Sequence, residues 1–344
     1  MKRILILGVG GFIGSSLAAA ILKRTDWEIY GMDLTSGKLD PRVKANPRFH
    51  FNAGDITICR EWLENQVRLA DVVLPLVAVA TPNSYVTDPL RVFELDFEAN
   101  LPIVRWCAKY HKHLIFPSTS EVYGCCSEPE FNELTSQLVT GPIREERWIY
   151  SSCKQLMDRL IYGYGCHKDL KFTLFRPFNW FGPNLDQIVD ERSNQELMNS
   201  SRVVTQFISA VQHGCSLRLV DGGKQRRCFT YIDDGIEALL KIIENHNGCA
   251  EQQIFNIGNP DNDCSIERLA EHILTLALDY PKVSEGLARA RVVPVVAKEF
   301  YADGYADVDH RAPSIEQART RLAWTPKVKL LDGLRLTLDS YWDR

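Results

Sequence analysis

Tyr150 and Lys154, in the stretch RWIYSSCK, stand four residues apart and so share one face of a helix. A lysine ammonium beside a tyrosine lowers the cost of ionising the phenol, whose ordinary pKa is about 10, and makes it a usable base for an alcohol proton. Upstream, LIFPSTSEVYG closes a strand-like run with Ser118, Thr119, Ser120 and Glu121. Thr119 or Ser120 can hydrogen-bond a substrate hydroxyl or the tyrosine. A Y-x-x-x-K spacing alone also describes any amphipathic helix with a packed tyrosine and a solvated lysine, so its meaning depends on what stands around it.

The N-terminus supplies that context. ILILGVGGFIGSSL carries Gly8, Gly11 and Gly14 after a strand and at the opening of a helix. The first glycine allows a tight turn, the second lets backbone approach a pyrophosphate, and the third allows close helix–strand packing, with the helix N-terminus holding the anion. Asp33 ends the next strand, EIYGMDL, where a carboxylate accepts from both ribose hydroxyls and repels a 2′-phosphate, favouring NAD over NADP. The expected cofactor contacts are Gly8, Gly11, Phe12, Ile13, Gly14, Asp33, Asp55 and Ile56, joined by Tyr150 and Lys154 at the reactive end. Asp55 in NAGDI suits an adenine contact, although an aspartate there serves equally as a turn residue.

These residues need a scaffold, and the chain has the means to build one. Its 344 residues with 45% hydrophobic content are ample for a buried core. No run of eighteen apolar residues occurs, and KRILILG after Met1 reads as a first strand rather than a signal peptide, so a soluble cytoplasmic protein is expected. Ten cysteines without C-x-x-C or Cys/His ligand spacing predict reduced thiols and no metal site. A net charge of -4 with both signs interspersed argues against nucleic-acid binding. Apolar runs alternating with amphipathic stretches predict parallel βαβ units. The expected fold is α/β, a Rossmann-type doubly wound parallel sheet with a smaller C-terminal substrate-binding α/β domain. Residues 1–180 would form the NAD-binding domain, with 224–248 packing back on it, and 181–344 mainly the substrate-binding domain. The polar stretch from Asp186 to Ser201 reads as a long loop and a candidate substrate lid.

Taken together, these motifs resemble the extended short-chain dehydrogenase/reductase family, whose members act on nucleotide sugars. RPFNWFGP, DGGKQRRCFTYIDDG and GYADVDHRAPSI narrow the resemblance to UDP-glucuronic acid decarboxylases, in particular the decarboxylase half of the bifunctional enzyme that makes 4-amino-4-deoxy-arabinose for lipid A. The resemblance spans essentially the whole chain, here as a free-standing decarboxylase. It implies oxidation of UDP-glucuronic acid at C4 by NAD and loss of the C6 carboxylate as CO2. Tyr150 and Lys154 match the oxidation pair, Glu121 the acidic catalytic residue beside Thr119 and Ser120, and Arg311 an arginine assigned as proton donor to C5. Arg147, Asn179, Arg218, Arg227 and Tyr305 fall on positions that hold the UDP moiety or sugar, while Ala80 and Tyr85 line the sugar side. Planar guanidinium forks suit a diphosphate and a carboxylate.

Chemistry gives Glu121 a purpose in this reading. A 4-ketone makes the sugar a β-keto acid, whose carboxylate leaves readily because the carbonyl accepts the electrons as an enolate. A carboxylate near C6 would disfavour the bound ground state by like-charge crowding, with the Ser/Thr hydroxyls stabilising the enolate; a general acid or base is the other role. Ser120-Glu121 lacks the Asp-Glu pair expected in 4,6-dehydratases. YSSCKQ differs from the Y-x-E-G-K-R of common UDP-xylose synthases, and Ala80 and Ser120 stand where UDP-apiose formers carry cysteines. The rival readings are re-reduction of the ketone to UDP-xylose, a 4-epimerase that needs neither Glu121 nor Arg311, and a non-catalytic NAD sensor. The resemblance also implies a homodimer through LRVFELDFEANLPIVRWCAKY and YSSCKQLMDRLIYGY, whose apolar spacing fits core packing equally well.

Overall fold

The computed structural model describes residues 1–188, 201–297, 300 and 308–342. Its centre is a seven-stranded sheet in which all pairings are parallel. In chain order the first six strands are β1 (Arg3–Leu7), β2 (Glu28–Asp33), β3 (Phe49–Ala53), β4 (Val72–Pro75), β5 (His113–Pro117) and β6 (Phe172–Pro177), and the seventh is Gln253–Ile257. Across the sheet they run Gln253–Ile257, β6, β5, β4, β1, β2, β3. The strand order therefore reverses between β1 and β4, and an open parallel sheet binds ligands at the carboxyl ends of its strands beside such a switch point.

The composition of the strands explains their depth. β4 and β5 read VVLP and HLIFP and are buried throughout, as strands covered on both faces must be. The one polar exception, His113, bonds through Nε2 to Thr173 Oγ1 at 2.8 Å, and burial pulls its pKa down to about 4, so it sits there neutral. Helices cover both faces, among them Phe12–Arg24, Arg60–Leu69, Leu101–Lys109 and Trp148–Lys168.

The expected division at residue 180 leaves out part of this sheet. Gln253–Ile257 pairs with β6 along its whole length, and the helix Ile232–Glu244 packs on Phe12–Arg24, with Arg24 and Glu237 paired at 2.6 Å. Most of the remaining described residues form a smaller α/β layer at the carboxyl edge. Ser216–Val220 pairs in parallel with Arg291–Val295. Arg226–Cys228 lies between antiparallel Asp263–Ser265 and parallel His310–Arg311, which puts Arg311 opposite Arg227.

The C-terminal segment is tied back by polar anchors rather than by strand pairing. Buried Asp234 accepts from the backbone amides of Lys327 and Val328 at 3.0 and 2.9 Å, and its carbonyl accepts from Trp324 Nε1 at 2.9 Å. Removing the carboxylate leaves two inward-facing amides without acceptors, and each such loss is typically worth about 1–3 kcal/mol. Asp234→Ala is therefore expected to lower the thermal unfolding midpoint clearly while leaving far-ultraviolet circular dichroism unchanged at low temperature. An unchanged midpoint would show that this anchor is dispensable.

Candidate active site

At the end of β1 the chain turns through Gly8, whose φ of +80° is the left-handed region that side-chain-bearing residues avoid. Gly14 is required for a different reason, since a Cβ there would run into the Gly8 carbonyl oxygen. Among the described residues no side chain caps the helix at Gly11, so its first-turn amides face outward as an anion site. Asp33 ends β2 with Oδ2 accepting from Gly10 N at 2.8 Å and Oδ1 from Leu34 N at 2.7 Å, which fixes its carboxylate beside the glycine turn. These features fit a dinucleotide: a cradle for the pyrophosphate and an acid for the ribose. Asp55 accepts from the amide and hydroxyl of Thr57, both at 2.8 Å, and in this structure its carboxylate is a turn acceptor.

The reactive end lies at the carboxyl edge of β5. Thr119 caps the 3₁₀ turn Ser120–Tyr123 by accepting from Glu121 N at 3.2 Å, and Ser120 is buried in the first position of that turn. The Thr119 hydroxyl still has its proton to give, and it is directed to Tyr150. Tyr150 is buried and stacks face to face on Tyr85, with ring centroids 4.5 Å apart. Burial raises its phenol far above the ordinary tyrosine range, the charges of Asp96 and Glu121 add to this, and hydrogen bonds from Thr119 and Tyr85 pull it back. Lys154 donates to the Pro117 carbonyl at 3.1 Å and pairs with Asp96 at 3.2 Å.

Glu121 is clamped. Arg147 Nη2 lies 2.5 Å from its Oε2, and Arg311 Nη1 donates to its Oε1 across a separation of 190 residues. Burial pushes the carboxyl upward more than any other single influence, yet the charges of Arg311 and Arg147, the Arg311 hydrogen bond and the charge of Arg227 together hold it at about 2. The expectation that Glu121 acts through like-charge crowding meets a physical objection here. Its charge is already met by two guanidiniums, so it does not face the cleft as an unpaired carboxylate.

A buried network supports this floor. Ser118 donates to Asp158 at 2.7 Å, Arg176 bridges Asp158 and Tyr123 at 3.1 and 2.9 Å, and Tyr123 donates to Asn256 at 2.8 Å. It links β5, the helix Trp148–Lys168, β6 and the seventh strand. Beside it opens a cleft of about 170 Å³ lined by Glu121, Asn179, Arg218, Gln225, Arg227 and Arg311, among others. Asn179 has a φ of +42°, and its buried Oδ1 has no hydrogen-bond partner among the described residues. Arg227 donates to the carbonyls of Arg226 and Val308 at 2.8 Å, and Arg218 lies over the Phe300 ring. Ala80 is exposed on the loop leading to Tyr85. Tyr305 and all of the candidate lid except residues 186–188 and 201 lie outside the described residues.

Sequence reading missed Asp96 and Arg202. Asp96 follows Val92 and precedes Asn100 at helical spacing on one fully buried stripe, so a charged residue on an apolar face was its readable signal. Arg202 pairs with Asp186 at 2.6 Å and lies over the Phe12 ring at 5.6 Å, where it overhangs the cofactor turn.

One Rossmann sheet thus carries a Tyr–Lys pair at the carboxyl end of β5 and a glycine turn with an acid-tipped second strand at the carboxyl ends of β1 and β2. The chain belongs to the NAD dependent epimerase/dehydratase family, whose model matches residues 4–258, and NAD is its cofactor. Among solved structures it is similar to the PbgP3 protein from Burkholderia pseudomallei, at 51% identity over 99% of this chain and 96% of that one, with a TM-score of 0.89. It shares its fold with the UDP-glucose 4-epimerase of Thermotoga maritima, solved with UDP-glucose, at 22% identity, 98% coverage of each chain and a TM-score of 0.79. The UDP-glucuronic acid 4-epimerase of Bacillus cereus, solved with UDP-glucuronic acid and NAD, aligns at 23% identity, 98% coverage of each chain and a TM-score of 0.78. Among the described residues no helix is long and apolar enough to cross a membrane.

The clamp has a consequence for acid stability. Glu121 has a folded pKa of about 2 against an ordinary 4.5, so its contribution is complete above pH 4.5 and is lost as pH falls toward 2. Glu121→Gln is expected to be less stable than the parent at neutral pH, with the gap in unfolding midpoint closing across that acid window. A gap that stays constant from pH 7 to pH 2.5 would contradict the assignment.

Proposed function

We propose that this protein is an NAD-dependent UDP-glucuronic acid decarboxylase, releasing UDP-4-keto-pentose, CO2 and NADH. The observation that carries the reading is the Glu121–Arg311 contact: a late-chain arginine and a carboxylate beside the Tyr150 phenol share one buried wall of the cleft. An epimerase must move a proton and a hydride at C4 and has no use for a second acid–base group aimed at the far side of the sugar. Arg147, Arg227 and Arg311 gather around Glu121, and their planar guanidinium forks suit a substrate bearing a diphosphate and a carboxylate.

Glycine-turn amides and Asp33 hold the dinucleotide, which when bound accepts the C4 hydrogen with its electron pair and leaves a ketone. Tyr150 takes the proton of the 4-hydroxyl, with the Thr119 hydroxyl and Lys154 stabilising its phenolate. Returned to its phenol form, Tyr150 donates to the carbonyl oxygen as the C5–C6 bond breaks and the electron pair moves into the enolate, while the Thr119 and Ser120 hydroxyls share that charge. Substrate carboxylate competes with Glu121 for Arg147 and Arg311, so its arrival releases Glu121 from the double clamp and lets the acid rise toward a range where it exchanges protons. Arg311 and Glu121, acting as a hydrogen-bonded pair, supply the proton that C5 takes up after CO2 has left. Asn179, with its unsatisfied buried carbonyl oxygen, and Arg218 contribute to holding the UDP moiety.

Two variants divide the chemistry. With purified protein, NAD and UDP-glucuronate, Tyr150→Phe is expected to abolish NADH formation, a loss of about 10²-fold or more for a missing general base. Arg311→Ala is expected to retain NADH formation better than CO2 release, with the pentose followed by NMR. Equal loss of both partial reactions in Arg311→Ala, or no CO2 from the parent enzyme, would remove the decarboxylase reading. We also propose a homodimer through the Leu101–Lys109 and Trp148–Lys168 helices, where Leu156 and Tyr162 are 51% and 54% exposed. Leu156→Asp combined with Tyr162→Asp should shift the mass in sedimentation from dimer to monomer.

A further inference from the structure

Asp96 has a position that the reaction above does not explain. It is completely buried, on a π-helical turn at Glu94–Glu98 inserted between the helices Pro89–Phe93 and Leu101–Lys109. Such widened turns tend to occur at functional sites, because the extra residue re-aims a side chain. Here it sends Asp96 inward while Glu94 and Glu98 remain on the outside. Oδ2 accepts from Val79 N at 2.8 Å, on the loop that runs from β4 to Tyr85, and Oδ1 lies 3.2 Å from Lys154 Nζ. Next to it, Asn100 donates to the carbonyls of Val77 and Leu95, anchoring the same loop.

A buried carboxylate 3.2 Å from Lys154 offsets the charge that would otherwise favour the Tyr150 phenolate. We infer that Asp96 is a positioning and charge-balancing residue for Lys154, which keeps Tyr150 a neutral phenol until a second positive charge, that of the oxidised nicotinamide ring, arrives beside it. Base strength is thereby coupled to the redox state of the cofactor: Tyr150 ionises beside the cationic ring and is re-protonated beside the neutral one. The inference rests on Tyr150 as the base for the sugar hydroxyl and is independent of whether the carboxylate is lost.

The other charged and titratable groups facing this pair do not perform the same task. Glu121 adds to the negative field at Tyr150 but is held by Arg147 and Arg311. Tyr85 stacks on Tyr150 as a neutral phenol, raised well above its ordinary value by burial. Cys153 is a thiol pushed up to about 12 by burial and by Asp96, and Asp158, one turn beyond Lys154, is paired with Arg176 at 3.1 Å. Burial favours the neutral form of Asp96 itself, and Lys154 with the Val79 amide opposes this, so the pair is mutually dependent.

Phenolate absorbance measured against pH reads the inference directly, with the Tyr150 signal taken as the difference from Tyr150→Phe; it needs no turnover, so it is decided separately from the decarboxylase reading. In the cofactor-free parent protein Tyr150 is expected to titrate above free tyrosine, and a midpoint at or below free tyrosine overturns the inference. Asp96→Asn, nearly the same shape without the charge, should lower that midpoint by about one unit or more and carry the acid limb of the kcat/KM profile with it. Asp96→Glu, which keeps the charge in a longer side chain, should leave both close to the parent. A purely structural Asp96 gives the reverse ranking, with Asn harmless and Glu damaging and no movement of the midpoint in Asp96→Asn. Should Asp96→Asn not fold, the parent and Asp96→Glu titrations decide: a shifted midpoint in Asp96→Glu overturns the inference and an unshifted one supports it.

Discussion

A charge removed from water must find its partner inside the protein, and the organisation of this molecule follows from that constraint. Glu121 sits on a turn fixed by β5, and one of its partners, Arg147, stands at the head of the helix that follows. Left with a single partner in a desolvated site, its carboxylate would be costly to keep ionised. Arg311 supplies the second partner, and to do so the late segment must return to the sheet edge. It returns as a short strand against Arg226–Cys228, and it is held near the turn by backbone bonds from Phe131 N to Ala312 O and from Ser314 N to Phe131 O, each 2.8 Å. The clamp is thus both a folding constraint on the C-terminal part and the contact that sets a guanidinium and a carboxylate side by side in the cleft wall.

The same logic works at two further positions beneath the cleft. Lys154 with Asp96, and Arg176 with Asp158, are buried opposite-charge pairs on or beside the Trp148–Lys168 helix. Replacing such pairs by well-packed apolar residues often costs nothing in stability, so their presence argues for work other than holding the fold. In each case one member lies under a residue of the reactive group: Lys154 one turn from Tyr150, and Asp158 accepting from Ser118 next to Thr119. The pairs fix side-chain directions where packing alone would permit several rotamers.

What the sequence revealed, and what it concealed, divides along the range of the interaction. Gly8 and Gly14 are readable because their demands are local, a positive φ and a helix packed against a strand, and Tyr150 with Lys154 because one helical turn joins them. The strands β1, β4, β5 and β6 show as largely apolar runs because both their faces are covered. The seventh strand, QIFNI, lies among short elements with no such run, and only its pairing with β6 defines it. The alignment of Arg311 with Arg227 depends on strand register across more than eighty residues of chain, which no local pattern encodes. Asp96 left a trace as an acid on an apolar stripe, but an ordinary helix assigned to that stretch would have aimed it differently, because the π turn that buries it is a tertiary outcome.

This division bears on how a single fold supports different sugar chemistries. The parts legible in the sequence, namely the glycine turn, the acid at the tip of β2 and the Tyr–Lys pair, are held by the rigid sheet, and in the proposed reaction they deal with the dinucleotide and the proton at the oxidised carbon. The parts assembled by long-range contact, Arg311 and Arg227 on their small sheet and Glu121 between two guanidiniums, line the cleft, and in the proposed reaction they act after the ketone has formed. Because Arg227 and Arg311 stand on a small sheet of their own, substitutions there can alter that part of the cleft while the seven-stranded sheet keeps the glycine turn and the Tyr–Lys pair in place.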